Sequence, residues 1–172
     1  MLRNRASLCQ NGETLMTTMV HGSAVAIGSL GVLIVGPSGS GKSDLALRLI
    51  DRGAKLISDD ILHLESADGV PLLAYAPSIA GKIEVRGIGI CSVEYEVSAP
   101  LRLVVECAKD VDRMPAEDMR TTIADFLVPL VKLDPFQVSS VLKVELALRS
   151  VVEAGHLPAA ISPAIAIERV EF

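Results

Sequence analysis

The chain is poor in aromatic residues. Its 172 residues include no tryptophan, two tyrosines and three phenylalanines, so the core must be mostly Val, Leu, Ile and Ala. It has no excess of basic charge. The 16 Lys and Arg against 21 Asp and Glu leave a net charge of −5, and this argues against a nucleic-acid grip, which needs a basic face. It has only three cysteines, Cys9, Cys91 and Cys107, an odd number without metal-ligand spacing. That excludes a disulfide framework and reads as a reduced, cytosolic interior, with Cys91 and Cys107 expected as small buried hydrophobes. Long apolar runs are missing too. The N-terminus carries two arginines but no block of signal-peptide length. The longest apolar stretches are strand-sized, so no segment is expected to span a membrane and a cytoplasmic location is expected. No repeat, low-complexity tract or Gly/Ser linker divides the sequence. One domain is therefore expected over residues 1–172, with 1–18 a weakly patterned lead-in or edge strand.

What is present is a folded composition, half apolar and 22% charged. "VHGSAVAIG" alternates loosely and predicts one strand with a turn near Gly28. "LGVLIV" is a short apolar run bounded by glycines, the pattern of a buried strand. "DLALRLIDRG" is rich in helix formers and ends at Gly53, a residue suited to follow a helix. "AKLIS", "ILHLES", "PLLAYAP" and "LRLVVEC" read as further strands, and Asp68-Gly69 signals a hairpin. "VDRMPAEDMRT" predicts a short helix or loop. "IADFLVPLVKL" predicts extended chain interrupted at Pro129. Asp134, Pro135 and Gln137 fit N-cap, N1 and N3 of a capping box, which predicts a helix from Pro135 to about Ala154, ending at Gly155. The tail "AISPAIAIERVEF" reads as a final strand.

Between the buried strand and the first helix lies "GPSGSGKS". Residues Gly36, Pro37, Ser38, Gly39, Ser40, Gly41, Lys42 and Ser43 match G-x-x-x-x-G-K-[ST] in the strand-then-helix context that the motif requires. Glycines let backbone N–H groups turn around an anion, and the helix N-terminus adds free donors and a favourable dipole. Lys42 supplies a positive charge for the β- and γ-phosphates, and Ser43 a hydroxyl for Mg²⁺.

About one helix and one strand later comes "SDD". A helix of about ten residues rises roughly 15 Å, and "AKLIS" returns a similar distance at roughly 3.3 Å per residue. A βαβ crossover makes the second strand parallel to the first, so Asp59 and Asp60 should emerge at the same sheet edge as the phosphate loop. Beside a lysine, a metal ion and a phosphoryl group, one carboxylate can accept a proton from an attacking hydroxyl and the other can touch metal-bound water. Adjacent residues on a strand point oppositely, so Asp59 and Asp60 should have different tasks. A solvated turn is the alternative reading of this pair. In "KIEVRGIGI", Glu84 and Arg86 would share one face of a strand, with Gly87 and Gly89 allowing close approach. This reads either as a magnesium contact and an anion contact or as a salt-bridged strand before a bulge. His63 reads as an exposed strand residue and His156 as a helix-end residue. His21 is unremarkable on pattern alone.

Taken together, "HGSAVAIGSLGVLIVGPSGSGKSDLALRLIDRGAKLISDD" and "IEVRGIGI" resemble the catalytic domain of the HPr kinase/phosphorylase family, whose signature usually reads Leu-Glu-Ile-Arg-Gly-Leu-Gly-Ile. The resemblance covers about Val20 to Ser92 well and extends more loosely to about Ala154. It implies an α/β fold, a P-loop-containing sheet with flanking helices similar to phosphoenolpyruvate carboxykinase. It implies an ATP- and Mg²⁺-dependent serine kinase acting on a small HPr-like phosphocarrier of a phosphotransferase system, assembled as a hexamer. Asp59 would then be the base, with His21 beside it, Ser43 and Glu84 would hold Mg²⁺, and Lys42 would grip the phosphates. No counterpart of the additional N-terminal domain of long members is expected, so the chain resembles the short forms of alphaproteobacteria. Where the family usually has Gly-Arg-Asn before the last helix, this chain has Asp134-Pro135-Phe136, so Arg86, Arg120 or a neighbouring subunit would have to supply the guanidinium. The family segment linked to dephosphorylation is not recognisable, so the kinase direction is the one expected. Two other readings remain: a P-loop kinase of a small molecule, and a nucleotide-sensing module without turnover.

Overall fold

The computed structural model describes residues 4–8, 14–67, 69–114 and 118–154. Cys9, Asp68, Gly155, His156 and the expected C-terminal strand lie outside them. The chain runs β1 (Asn4–Leu8), β2 (Thr14–His21), β3 (Ser23–Ile27), β4 (Leu30–Val35), α1 (Lys42–Asp51), β5 (Lys55–Ser58), β6 (Ile61–Ala67) and β7 (Val70–Ala74). It continues with β8 (Lys82–Val85), β9 (Gly89–Ser92), β10 (Ser98–Cys107), β11 (Arg120–Ile123), β12 (Phe126–Leu133) and α2 (Ser140–Ala154).

The strands form a curled mixed sheet in the order β1-β2-β6-β7-β10-β4-β3-β5, with β12 added on β10 and β11 on β12. Strand β10 serves both halves. Its start, Ser98–Pro100, pairs antiparallel with β7, and its remainder pairs parallel with β4 and β12. Apolar alternation along the central strands fills two cores. On one face Val25, Val32, Ile34, Leu103 and Val105 pack with Leu45 and Leu49 of α1 and Val144 and Leu148 of α2. On the other, Ala24, Leu33 and Val104 pack with Leu62, Leu64 and Leu73 of the curled half. Burial on both sides explains why β3 and β4 are near-continuous apolar runs.

Strand direction decides where the ligand rim lies. β4, β10 and β12 are mutually parallel, and β3 is antiparallel to both β4 and β5. β4 and β5 therefore run the same way with β3 between them. The carboxyl ends of β4, β5, β10 and β12 share one rim with the amino end of β3. In open α/β sheets that rim is where ligands bind.

Several sequence expectations change. The single strand expected from Val20 to Gly28 is two strands broken at Gly22, where the chain passes from one half of the sheet to the other. A Cβ placed on Gly22 would lie 2.7 Å from the Ile34 backbone oxygen and 3.2 Å from Leu33 Cδ1. Gly22→Ala is therefore expected to lower stability by about 1–3 kcal/mol, read as a fall in thermal midpoint with no change in nucleotide stoichiometry. The interruption expected at Pro129 falls instead at Ala124-Asp125, both with positive φ, a tight β11–β12 hairpin. Pro129 sits inside β12, before the stretch that pairs with β10. The helix expected from Pro135 starts at Ser140. Asp134 does accept from the Phe136 backbone N–H at 3.0 Å, but as a local turn that precedes the helix.

Candidate active site

The phosphate loop leaves β4 at Gly36 and enters α1 at Lys42, as its glycine spacing requires. Gly36, Gly39 and Gly41 all have positive φ, which only glycine adopts without strain. α1 has no side-chain cap at Gly41, so the free N–H groups of its first turn remain available to an anion. Lys42 Nζ donates to the backbone oxygens of Gly36 and Pro37, each at 3.0 Å, and this holds the ammonium inside the curve of the loop.

Asp59 and Asp60 follow β5 directly, at the same rim. Asp59 is buried, 7% exposed. Its Oδ1 accepts from Ser43 Oγ at 2.9 Å and from Ser23 Oγ at 2.6 Å. Its Oδ2 has only a long contact, 3.4 Å, from the Glu84 backbone N–H. One hydroxyl of the phosphate loop thus touches one of the paired acids. The two aspartates diverge as expected, though not through strand alternation. Both lie past the end of β5, and Asp60 has φ 73, a left-handed conformation that is uncommon outside glycine. Asp60 is exposed, and its backbone oxygen accepts from Gly22 N–H at 3.1 Å.

That backbone bond also brings in His21. The residue ends β2, pairs with Ile61 and has an exposed ring. Strand register puts it next to the aspartates. His63 is half-buried rather than exposed, with Nδ1 enclosed and unbonded.

Glu84 and Arg86 do not share one strand face. β8 ends at Val85, and Arg86, Gly87 and Ile88 form the turn to β9. The turn carries the arginine towards the loop, where Arg86 Nη2 would lie 3.5 Å from a Cβ placed on Gly39. Arg120 pairs with Asp118 at 3.0 Å and stands opposite Pro129, four residues back from the rim end of β12, or roughly 13 Å. Of the two arginines that the sequence offered, Arg86 is the one at the phosphate loop. Among the described residues no group of three His, Cys, Asp or Glu forms a self-contained metal site. The Ser43 hydroxyl and the Asp59 carboxylate it bonds are nonetheless hard oxygen donors of the kind that suit Mg²⁺, which takes few protein ligands and completes its shell with phosphate and water.

Three contributors were missed in the sequence. Ser23 bonds the buried carboxylate, and its position immediately after His-Gly was the available signal. Cys107 lies at the end of β10, where a Cβ on Gly36 would be 3.0 Å from its Cβ. Burial pushes the Cys107 thiol up, offset in part by the Ser40 hydroxyl and the Lys42 charge. A neutral thiol is a poor nucleophile, so iodoacetamide is expected to label the part-exposed Cys91 well before Cys107. Peptide mass spectrometry against time checks this, and equal rates would contradict it. The third contributor is Pro135-Phe136. A Cβ on Gly41 would lie 2.9 Å from Phe136 Cζ and 3.0 Å from Pro135 Cγ.

The family model for the HPr serine kinase C-terminal domain matches residues 13–157. The chain belongs to this family. The HPr kinase/phosphorylase of Treponema pallidum is 34% identical over 131 residues, which are 68% of this chain and 41% of that protein. That of Enterococcus faecalis is 38% identical over 136 residues, 72% of this chain and 44% of that protein. The chain thus spans less than half the length of these curated relatives. The solved HPr(Ser) kinase/phosphatase from Coxiella burnetii superposes with TM-score 0.64 at 22% identity, covering 80% of this chain and 95% of that one. At that identity the likeness establishes the α/β fold. No helix among the described residues is long and apolar enough to cross a membrane.

Proposed function

We propose that this domain is an ATP- and Mg²⁺-dependent protein kinase that phosphorylates a serine of a small HPr-like phosphocarrier. The relatives' shared activity supports the substrate class. The observation that carries the chemistry is the hydrogen bond from Ser43 Oγ to buried Asp59, because it joins the phosphate loop to a carboxylate whose second oxygen has only a long bond from the Glu84 N–H.

In this reading the loop N–H groups and Lys42 hold the triphosphate, and Arg86 approaches over Gly39 to offset charge on the transferring group. Phosphoryl transfer depends more on positioning and charge neutralisation than on covalent chemistry. Asp59 Oδ1 is committed to Ser23 and Ser43, which fixes the side chain. Oδ2 takes the proton from the acceptor serine as its oxygen bonds the γ-phosphorus. The bridging bond to the β-phosphate breaks, and ADP leaves. Ser43 and Glu84 would hold Mg²⁺, whose positive charge would offset that of the phosphates. His21 sits where its ring can adjust the acidic pair, and exposed Asp60 can hold a second group at the rim. Reverse transfer from phosphoserine would use the same carboxylate as acid. Assembly as a homo-oligomer, a hexamer by resemblance, belongs to the same proposal.

Incubation with Mg²⁺, γ-labelled ATP and an HPr-like carrier tests the reading. Label on a carrier serine is expected. Label on a small metabolite would favour a small-molecule kinase, and tight binding without transfer would favour a sensing module. Either result would overturn the proposal.

A further inference from the structure

We propose that Phe136 is the platform on which the base of the bound nucleotide stacks, an inference that rests on the nucleotide-binding reading above. The ring is 60% exposed yet lies in contact with Gly41, the residue that caps α1 inside the phosphate loop. Phe126, by contrast, packs against a core.

The turn that carries the ring is held by both helices. From α1, Arg48 donates to the backbone oxygens of Pro135 and Gln137 and is itself braced by Asp44 at 2.9 Å. From α2, Ser140 Oγ donates to the Asp134 backbone oxygen at 2.5 Å and Lys143 Nζ to Gln137 Oε1 at 2.6 Å. Within the turn, the Phe136 N–H donates to Asp134 Oδ1 at 3.0 Å. An aromatic side chain on a turn pinned by hydrogen bonds from two helices, left open to solvent and set against a phosphate cradle, has the chemistry of a nucleobase subsite. The loop grips phosphate and is blind to the base, whereas a ring offers every base a π-face. Pro135, buried against the same glycine, backs the turn that carries the ring. The position follows from topology, because Asp134–Phe136 continues β12 at the rim where β4 opens into the loop.

The test compares two ligands that share the phosphates and differ in the base. Calorimetric titration of the whole chain with Mg²⁺-ATP and with Mg²⁺-inorganic triphosphate is carried out on wild type, Phe136→Ala and Phe136→Trp. Phe136→Ala is expected to weaken ATP by roughly 5- to 100-fold and to leave triphosphate affinity unchanged, and Phe136→Trp is expected to keep ATP affinity near wild type. Equal weakening of both ligands would mean that the ring merely props the loop, and would overturn the inference. So would unchanged ATP affinity in Phe136→Ala, or wild type binding triphosphate as tightly as ATP; both leave the kinase reading standing. Failure of wild type to bind either ligand would overturn the phosphate-loop reading and this inference with it.

Discussion

Asp59→Asn is expected to cut transfer from ATP to the carrier serine by roughly 10²- to 10⁴-fold, the usual contribution of a positioned general base, while nucleotide binding survives. The asparagine oxygen can still accept from Ser23 and Ser43, which now bond Asp59 Oδ1 at 2.6 and 2.9 Å. The side chain therefore stays in place. What disappears is the ability of the second oxygen to take a proton. Asp59→Ala is a poorer probe. It would leave the buried Ser23 hydroxyl without its acceptor, and an unsatisfied buried group costs about 1–3 kcal/mol. Stability and chemistry would then fall together. Rapid-quench transfer measurements beside calorimetric ATP binding separate the two for Asn. A loss of affinity in step with activity would remove Asp59 from the role of base.

Lys42→Met is expected to act on binding first. The ammonium is a charged donor aimed into an anion cradle. Charge-assisted bonds contribute about 1.5–3 kcal/mol, so ATP affinity should fall by roughly 10- to 150-fold. Lys42 also bonds the Gly36 and Pro37 oxygens, so its removal loosens the loop before any ligand arrives. Thermal stability without nucleotide should change little, because both carbonyls lie at the surface of the loop. The protection against heating that ATP gives wild type should largely vanish. Undiminished protection would mean that the triphosphate does not sit in this loop.

The phosphate loop is easier to read from the sequence than the order of the strands around it. The strand, loop and helix from Leu30 to Asp51 could be read directly, because glycine spacing and apolar pattern both report local geometry. The direction of β5 also followed from the strand–helix–strand pattern, whose crossover makes the second strand parallel to the first. Hidden from view was β3 lying between β4 and β5, since strand order is a long-range choice that no local pattern encodes. The break at Gly22 was hidden for the same reason: it reflects the approach of Ile34, a residue on another strand. Asp134, Pro135 and Gln137 matched a helix start in every local respect. The helix nonetheless begins at Ser140, because Arg48 of α1 holds the turn from outside. Arg86 was misplaced by the strand pattern. Period-two alternation assigned it to the face of Glu84, whereas the turn at Gly87 redirects it over Gly39.

The most direct test is a crystal structure with a non-hydrolysable ATP analogue and Mg²⁺. The account predicts the triphosphate in the curve of Gly36–Ser43, the metal roughly 2.0–2.1 Å from Ser43 Oγ, and Asp59 Oδ2 facing open space beside the γ-phosphate where a serine can enter. A triphosphate seated away from Lys42, or an Asp59 shut off from the γ-phosphate, would contradict it.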